Sequence, residues 1–467
     1  MAEQDLALMA HLMRRAGFSA SYEELERRAA AGYEATVAEL LNPQSQPDLE
    51  MDILERRFID WKDMNALEVY QAYWTYRMIN TQRPLQEKVA LFWHGILCTG
   101  NSKCEHGRQM QLQLQAFREK GMGKFDEILR DLARDPAMVF YLDNCMSHKG
   151  SINENWGREL LELFSMGVGM DDQANYSEDD VQEAARAFTG WTITNAIPRY
   201  PYGRYEANFI YNRYDHDEGE KTFLGETGNF NGDDIINIIC KQPSAARFVA
   251  RHLYNFFVAD EAEVPAWQRT APRDPQAIKE LEDEYFRSGY DIGAMLKVML
   301  NSQWFKDARF EKVKSPTEVV IGTIRLVKDF TTPKLGLHPL ANNIRYMGQD
   351  LMNPPTVEGW HTGKEWIDSG TLVERINFAA DQVGNLGLPG VQDIVNRLGS
   401  ENVMNAEVMV DRCLEMLGGY QLAEETRGQL VEHAEKGGVP ASGTAEFSNR
   451  VGEILQLIVA TQEYQFA

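Results

Sequence analysis

Long apolar runs are missing from this chain of 467 residues. The densest, Ile235 to Cys240, falls far short of the ~20 residues that a membrane-spanning helix needs, so no membrane span is expected. Cysteine is scarce as well. Cys98, Cys104, Cys145, Cys240 and Cys413 make an odd, scattered set that does not read as a disulfide framework. The opening residues MAEQDLALMAHLMRRAGF lack the basic start, the apolar core and the small-residue cleavage site of a secretory signal. These features point to a cytoplasmic location for the chain as given; a longer native N-terminus would leave a periplasmic or exported one open. Basic residues are in deficit, 47 against 70 acidic, for a formal net charge of -23. A field of that sign repels duplex DNA, so nucleic acid is not an expected partner. There is no Walker loop, no Rossmann glycine fingerprint, no His-Glu-x-x-His and no Gly-x-Ser-x-Gly. Nucleotide hydrolysis by a P-loop, zincin proteolysis and α/β-hydrolase chemistry lose their usual supports.

What is present is ordinary globular material, 43% hydrophobic and 25% charged, in a chain long enough to bury most of its apolar surface without staples. Helical periodicity dominates. Leu6, Met9, Ala10 and Met13 share one face over residues 4–16. The pattern continues over 63–80 and over 84–98, where Pro84 suits a first turn. Further helices are expected over 125–133, 135–142, 153–165 and 177–188, with Asn153 as a cap and Ser177 with Asp180 as a capping-box variant. They resume at 232–240, 244–258, 274–288, 291–300 and 316–329. Three or four more follow Thr371, with a break at Gly437-Gly438-Val439-Pro440. Residues 191–231 differ: Tyr, Asn, Gly and Pro crowd in, helical period is lost, and Ile193, Phe209 and Tyr211 suit a small hairpin. The stretch 351–368 is irregular too, and 306–315 and 331–337 are candidate linkers. The fold class expected is all-α, a multi-helical globular domain of helical hairpins with a small irregular or β-hairpin insert near 191–231.

Four places carry residues suited to chemistry. On the helix after Asn153, the residues Asn155, Arg158, Glu159 and Glu162 share a face largely opposite Trp156, Leu160 and Leu163. Two carboxylates a turn apart beside an arginine can hold a metal or divide acid and base roles; the plainer alternative is a solvated charged face. Next, His94 and Cys98 lie a helical turn apart and Cys104 and His106 follow. These are enough ligands for tetrahedral zinc but match no standard spacing, and a core histidine with buried thiols competes. The third place is Tyr214-Asp215-His216-Asp217-Glu218-Gly219-Glu220-Lys221. There His216 can act as base or ligand with Asp217 orienting it, or the whole is a polar surface turn. The fourth is Pro354-Pro355-Thr356-Val357-Glu358-Gly359-Trp360, followed by Trp366. Its two indoles form either a stacking wall for a sugar or other flat ligand, or a plug that closes the bundle.

Several motifs then recur in a telling order. They are His11 through Phe18, Phe92-Trp93-His94, Asp135-Pro136-Ala137-Met138, Tyr141-Leu142-Asp143-Asn144, and Asn153-Glu154-Asn155 with Arg158-Glu159-Leu160. After them come Val181 through Trp191, His216-Asp217 with Gly219 and Lys221, and Pro354-Pro355 with Gly359-Trp360. As an ordered set they resemble the bacterial family catalogued as domain of unknown function 1800. The resemblance covers a helical core over 5–380 and leaves 381–467 as a C-terminal helical extension packed on it. It also implies a neighbour, since such proteins are often encoded beside a second family that resembles sulfatases and alkaline phosphatases. Many relatives are exported, which the N-terminus here does not match. Cys104 lies outside the family pattern, which weakens the zinc reading. The motifs place Asn153, Glu154, Asn155, Arg158, Glu159, Glu162, Gln182, Glu183 and Arg186 on two successive helices. There they form either a buried polar network that locks the helices in register or the lining of a cleft.

The reading that combines these signals is an enzyme of hydrolysis or group transfer on an anionic or hydroxyl-rich substrate, with a polar cleft between 153–166 and 178–189. Glu159 or Glu183 is expected as general base or metal ligand, with His94 and His216 approaching as further catalytic residues. Asn155, Arg158, Arg186 and Lys221 would hold the substrate, and Trp191 and Trp360 would wall it. Two alternatives stay open. One is a non-catalytic partner or maturation factor for the sulfatase-like protein. The other is a zinc- or iron-dependent enzyme using His94, Glu159 and His216. A divalent metal is the one cofactor these residues suggest.

Overall fold

Capping signals and apolar spacing translate directly into helices. The computed structural model describes residues 3–59, 66–170, 173–194, 207–401 and 404–467, and among them are 24 α-helices and three two-stranded antiparallel sheets. The Ser177 hydroxyl accepts from the Asp180 N–H while the Asp180 carboxylate accepts from the Ser177 N–H, which starts the helix Glu178–Ala187. The Asn153 side chain accepts from the Asn155 N–H at 3.0 Å at the head of Asn155–Glu162. Pro84 and Pro316 open Pro84–Ile96 and Pro316–Val327, where a missing N–H costs nothing. Helices also form over Tyr22–Ala31, Tyr33–Leu40, Gly107–Lys120 and Leu337–Tyr346, for which the sequence reading named none. Five helices finish the chain rather than three or four: Ser369–Val383, Pro389–Gly399, Ala406–Met416, Glu424–Glu435 and Ala445–Val459.

Two apolar clusters result. The larger draws on helices from the N-terminus to Leu337–Tyr346, with Trp74, Trp93, Phe125 and Tyr285 deep inside. The smaller belongs to the C-terminal helices, around Val391, Leu398, Met409, Phe447 and Ile454, and takes in Tyr22, Leu326 and Val327. Each fully buried Leu, Ile or Phe contributes about 1.5–3 kcal/mol. Buried polar ties join the clusters. Arg14 Nη1 donates to Gly418 O at 2.7 Å, Arg375 Nη2 to Lys314 O at 2.6 Å, and Lys314 Nζ to Tyr464 O at 2.6 Å. Residues 306–315 are pinned rather than slack: the Val313 N–H donates to Asp260 at 2.7 Å and the Lys314 N–H to Gln465 O at 2.9 Å.

The insert does form its hairpin. Trp191–Ile193 pairs with Phe209–Tyr211, placing Ile193 opposite Phe209; residues 195–206 between them lie outside the described residues. A second hairpin, Lys221–Phe223 with Glu226–Gly228, packs through its first strand on Glu178–Ala187. Among the described residues, no helix is long and apolar enough to cross a membrane.

Candidate functional site

The polar residues singled out from the sequence fall into separate groups. His94 is buried on Pro84–Ile96. Its Nε2 accepts from the Met352 N–H at 2.9 Å, and the rings of Trp74 and Trp360 pack against it. Burial pulls its pKa down to about 3, which keeps the imidazole neutral. Glu183, Arg186, His216, Asp217 and Lys221 do gather, between Glu178–Ala187 and the insert. Arg186 donates to both Glu183 oxygens, at 2.9 and 2.6 Å, and to Asp217 Oδ2 at 2.8 Å. That guanidinium holds the Asp217 carboxyl down at about 2. Asp217 therefore orients Arg186, while His216 Nδ1 lies 2.9 Å from Thr189 O. Lys221 is buried, its pKa lowered by burial, and donates to Asp217 O and Gly219 O at 2.5 and 3.0 Å. Trp191 is buried between Phe188 and Phe209 beneath the Arg134 guanidinium. Arg158 forks onto Glu178 at 3.0 and 2.7 Å, and Asn155 is exposed.

Neither metal set drawn from the sequence closes. Cys98 donates to His94 O at 3.2 Å and Cys104 to Ala137 O at 3.5 Å, and burial pushes both thiols up, away from the thiolate a zinc ion needs. Nor do His94, Glu159 and His216 bring their ligand atoms together. Among the described residues, the one trio that does is Glu263, His361 and Glu365, whose ligand atoms lie within 4.8 Å of one another.

A cavity lies on another face of Pro84–Ile96. It measures about 320 Å³ and is lined by Leu91, Phe92, Gly95 and Ile96 of that helix, by Glu162 and the following loop to Met170, and by parts of 263–268 and 358–366. Pro243–Phe257 supplies the longest wall. Its Ser244, Arg247, Phe248, Arg251, His252 and Asn255 recur at helical spacing and present one polar–aromatic face to the cavity. In the sequence that stripe reads as ordinary core helix, and only the fold shows that it faces a cavity. Trp267, Trp360 and Trp366 supply indole walls. Gly359 lets the 358–362 loop press on the helix: at φ +88 it approaches so closely that a Cβ there would lie 2.4 Å from Gly95 O.

Charge inside the cavity wall is mostly paired. Arg251 Nη2 donates to Glu261 Oε2 and Thr270 O, both at 2.9 Å, and its guanidinium stacks 4.3 Å from the Trp267 centroid. Glu318 pairs with Lys88. Burial opposes its ionisation, but Lys88 and Lys312 outweigh that and bring the carboxyl down to about 2. Two groups stand out. The His252 ring lies between Phe248 and Trp267, its Nε2 is buried without a hydrogen-bond partner, and burial followed by Arg251 lowers its pKa to about 3. Glu159 lies half-buried one turn before Glu162. Burial first, then the charges of Glu162 and Glu358, push it up to about 7 against the pull of Arg158. A carboxyl so placed can give or take a proton near neutral pH.

A multi-helical domain with hairpin inserts and an aromatic-walled cavity is thus the class this chain represents. It belongs to the family described as protein of unknown function (DUF1800), whose model matches residues 11–466 and so takes in the C-terminal helices with the core. No curated protein and no solved structure matches it.

Proposed function

We propose that this protein is an acid–base enzyme that hydrolyses, or transfers a group from, a hydroxyl-rich or anionic small molecule held in the 320 Å³ cavity. One observation carries the reading. Glu162 and Glu358 line the cavity, and Glu159, outside the lining itself, has its carboxyl pushed up to about 7 by burial and by the charges of those two residues. A carboxyl with a raised proton affinity near a cavity can serve as general acid or base to a molecule bound there. Trp267, Trp360 and Trp366 offer apolar faces to the ring or chain of such a molecule, and Asn255, Gln349 and His252 offer polar edges. In this reading the Glu183–Arg186–Asp217–Lys221 group anchors the insert rather than binding substrate. Glu159 keeps the role of acid or base that its helix face suggests. The experiment is a binding survey of neutral and anionic sugars by titration calorimetry, on the wild type and on Trp360→Ala. A ligand that binds the wild type and loses about tenfold or more in affinity with Trp360→Ala supports the site; equal binding by both refutes it.

A second reading, a non-catalytic partner of a sulfatase-like protein encoded nearby, draws on exposed apolar side chains at the insert. Ile210, Tyr211 and Tyr214 are exposed, and the exposed Met146 sits close by, since His148 Nδ1 contacts Asp215 Oδ2 at 2.6 Å. Co-purification lost in Tyr211→Ser and Tyr214→Ser would favour it. Five free cysteines, four of them buried, suit the reducing cytoplasm in which we place the protein.

A further inference from the structure

We propose that Glu263, His361 and Glu365 form a binding site for a divalent transition metal, Zn²⁺, Fe²⁺ or Mn²⁺, on the rim of the cavity. The three side chains come from two segments, one at the head of the short helix Val264–Gln268 and one across the turn Gly363–Trp366. His361 Nδ1 lies 3.1 Å from Glu365 Oε2, and the ligand atoms of Glu263, His361 and Glu365 all fall within 4.8 Å of one another. Ligand atoms about 2.0–2.2 Å from a zinc ion lie roughly 3–4 Å apart, so one ion can satisfy all three with small side-chain adjustments.

Chemistry selects the ion. Two carboxylates this close repel unless a proton or a cation lies between them, and a dication relieves both at once. Calcium and magnesium favour all-oxygen shells, whereas an imidazole with two carboxylates suits zinc, iron(II) or manganese. The turn that carries His361 and Glu365 has a firm seat. Gly363, at φ +67, packs against Asp260, which is itself held by the Val313 N–H at 2.7 Å and Lys312 Nζ at 3.1 Å. Glu263 and His361 both line the cavity, so the ion would sit at its rim with coordination positions left for a ligand.

A second, independent observation points to a ligand beyond the ion. His252 is 9% exposed, lines the same cavity, and its Nε2 has no hydrogen-bond partner. Its ring packs 4.7 Å from that of Trp267, four residues after Glu263. A buried nitrogen left unpaired carries a desolvation cost. A molecule with one oxygen on the metal and a polar group reaching inward would remove that cost. The metal site goes beyond the acid–base reading, which rests on Glu159, Glu162 and Glu358.

Equilibrium dialysis of the full chain against Zn²⁺, Mn²⁺ and Ca²⁺ separately, followed by elemental analysis, tests the inference. One bound Zn²⁺ or Mn²⁺ per chain is expected. Glu263→Gln, His361→Ala and Glu365→Gln should each weaken it about tenfold or more, the least that loss of a direct ligand costs. These side chains are exposed, so the melting temperature of the metal-free variants should match that of the wild type. Binding that persists equally in all three variants overturns the site, as does tighter binding of Ca²⁺ than of Zn²⁺, or no binding. Should no metal bind while Glu159→Gln abolishes turnover, the metal site falls and the catalytic reading stands.

Discussion

His94 Nε2 accepts a hydrogen bond from the backbone N–H of Met352 at 2.9 Å, tying the Pro84–Ile96 helix to a loop 258 residues further along the chain. The imidazole that the sequence offered as a catalyst is thus engaged with backbone. His94→Ala should leave that N–H buried and unpaired beside a new void, a loss of about 3–5 kcal/mol in urea unfolding. Unchanged stability in that variant would contradict the structural role.

Lys88 and Glu318 form a buried ion pair in the wall of the cavity. Removing one partner strands the other in a medium of low polarity. Lys88→Met should cost about 3–5 kcal/mol. The double variant Lys88→Met with Glu318→Gln should recover part of that loss. A double-mutant cycle by chemical denaturation checks it; simple additivity would show that the two charges do not depend on each other.

Stability should respond to pH in two opposite ways. Glu318 sits at about 2 against an ordinary 4.5, so its contribution is complete above pH 4.5 and is lost as pH falls towards 2. His94, at about 3 against 6.5, adds to the acid-side loss, because the unfolded ring takes up a proton below pH 6.5 that the folded ring refuses. Glu159 runs the other way. With its pKa raised from 4.5 to about 7, it favours the folded state most below pH 4.5, and that advantage is lost as pH rises through 7. Unfolding measured between pH 4.5 and 7.5 should therefore show a smaller decline, or a steeper rise, in Glu159→Gln than in the wild type. Parallel profiles would mean that Glu159 has an ordinary proton affinity.

Lys221 sits buried beneath the insert with its ammonium on the carbonyls of Asp217 and Gly219. Lys221→Met keeps the stem and removes the donors. It should lower stability by about 1–3 kcal/mol and raise proteolytic cleavage within 207–231. Cleavage unchanged from the wild type would show that the loop holds its shape without the lysine.

Local signals were legible in the sequence because their causes are local. Ser177 and Asp180 are three residues apart and form the capping box they spell. Ile193, Phe209 and Tyr211 fall on the strands their composition suggests. Ser21 with Glu24 carried a similar start signal for Tyr22–Ala31, and the Ser21 side chain does accept from the Glu24 N–H. The cavity was not legible, because its walls come from helices and loops far apart in the chain. Nothing near Arg251 or His252 tells that Trp267 and Trp360 will face the same space. Charge placement misled for a related reason. Arg186 looks like a substrate ligand and Asp217 like the partner of His216 until the fold brings the two together at 2.8 Å.

The most direct test of the account is the turnover of chromogenic p-nitrophenyl glycosides, phosphates and sulfates by wild type and Glu159→Gln across pH 5 to 9. We predict activity on at least one class, with one limb of its pH profile near 7, and a loss of about a hundredfold or more in kcat for Glu159→Gln in a protein that remains folded. Full activity in Glu159→Gln, with the same limb near pH 7, would contradict it.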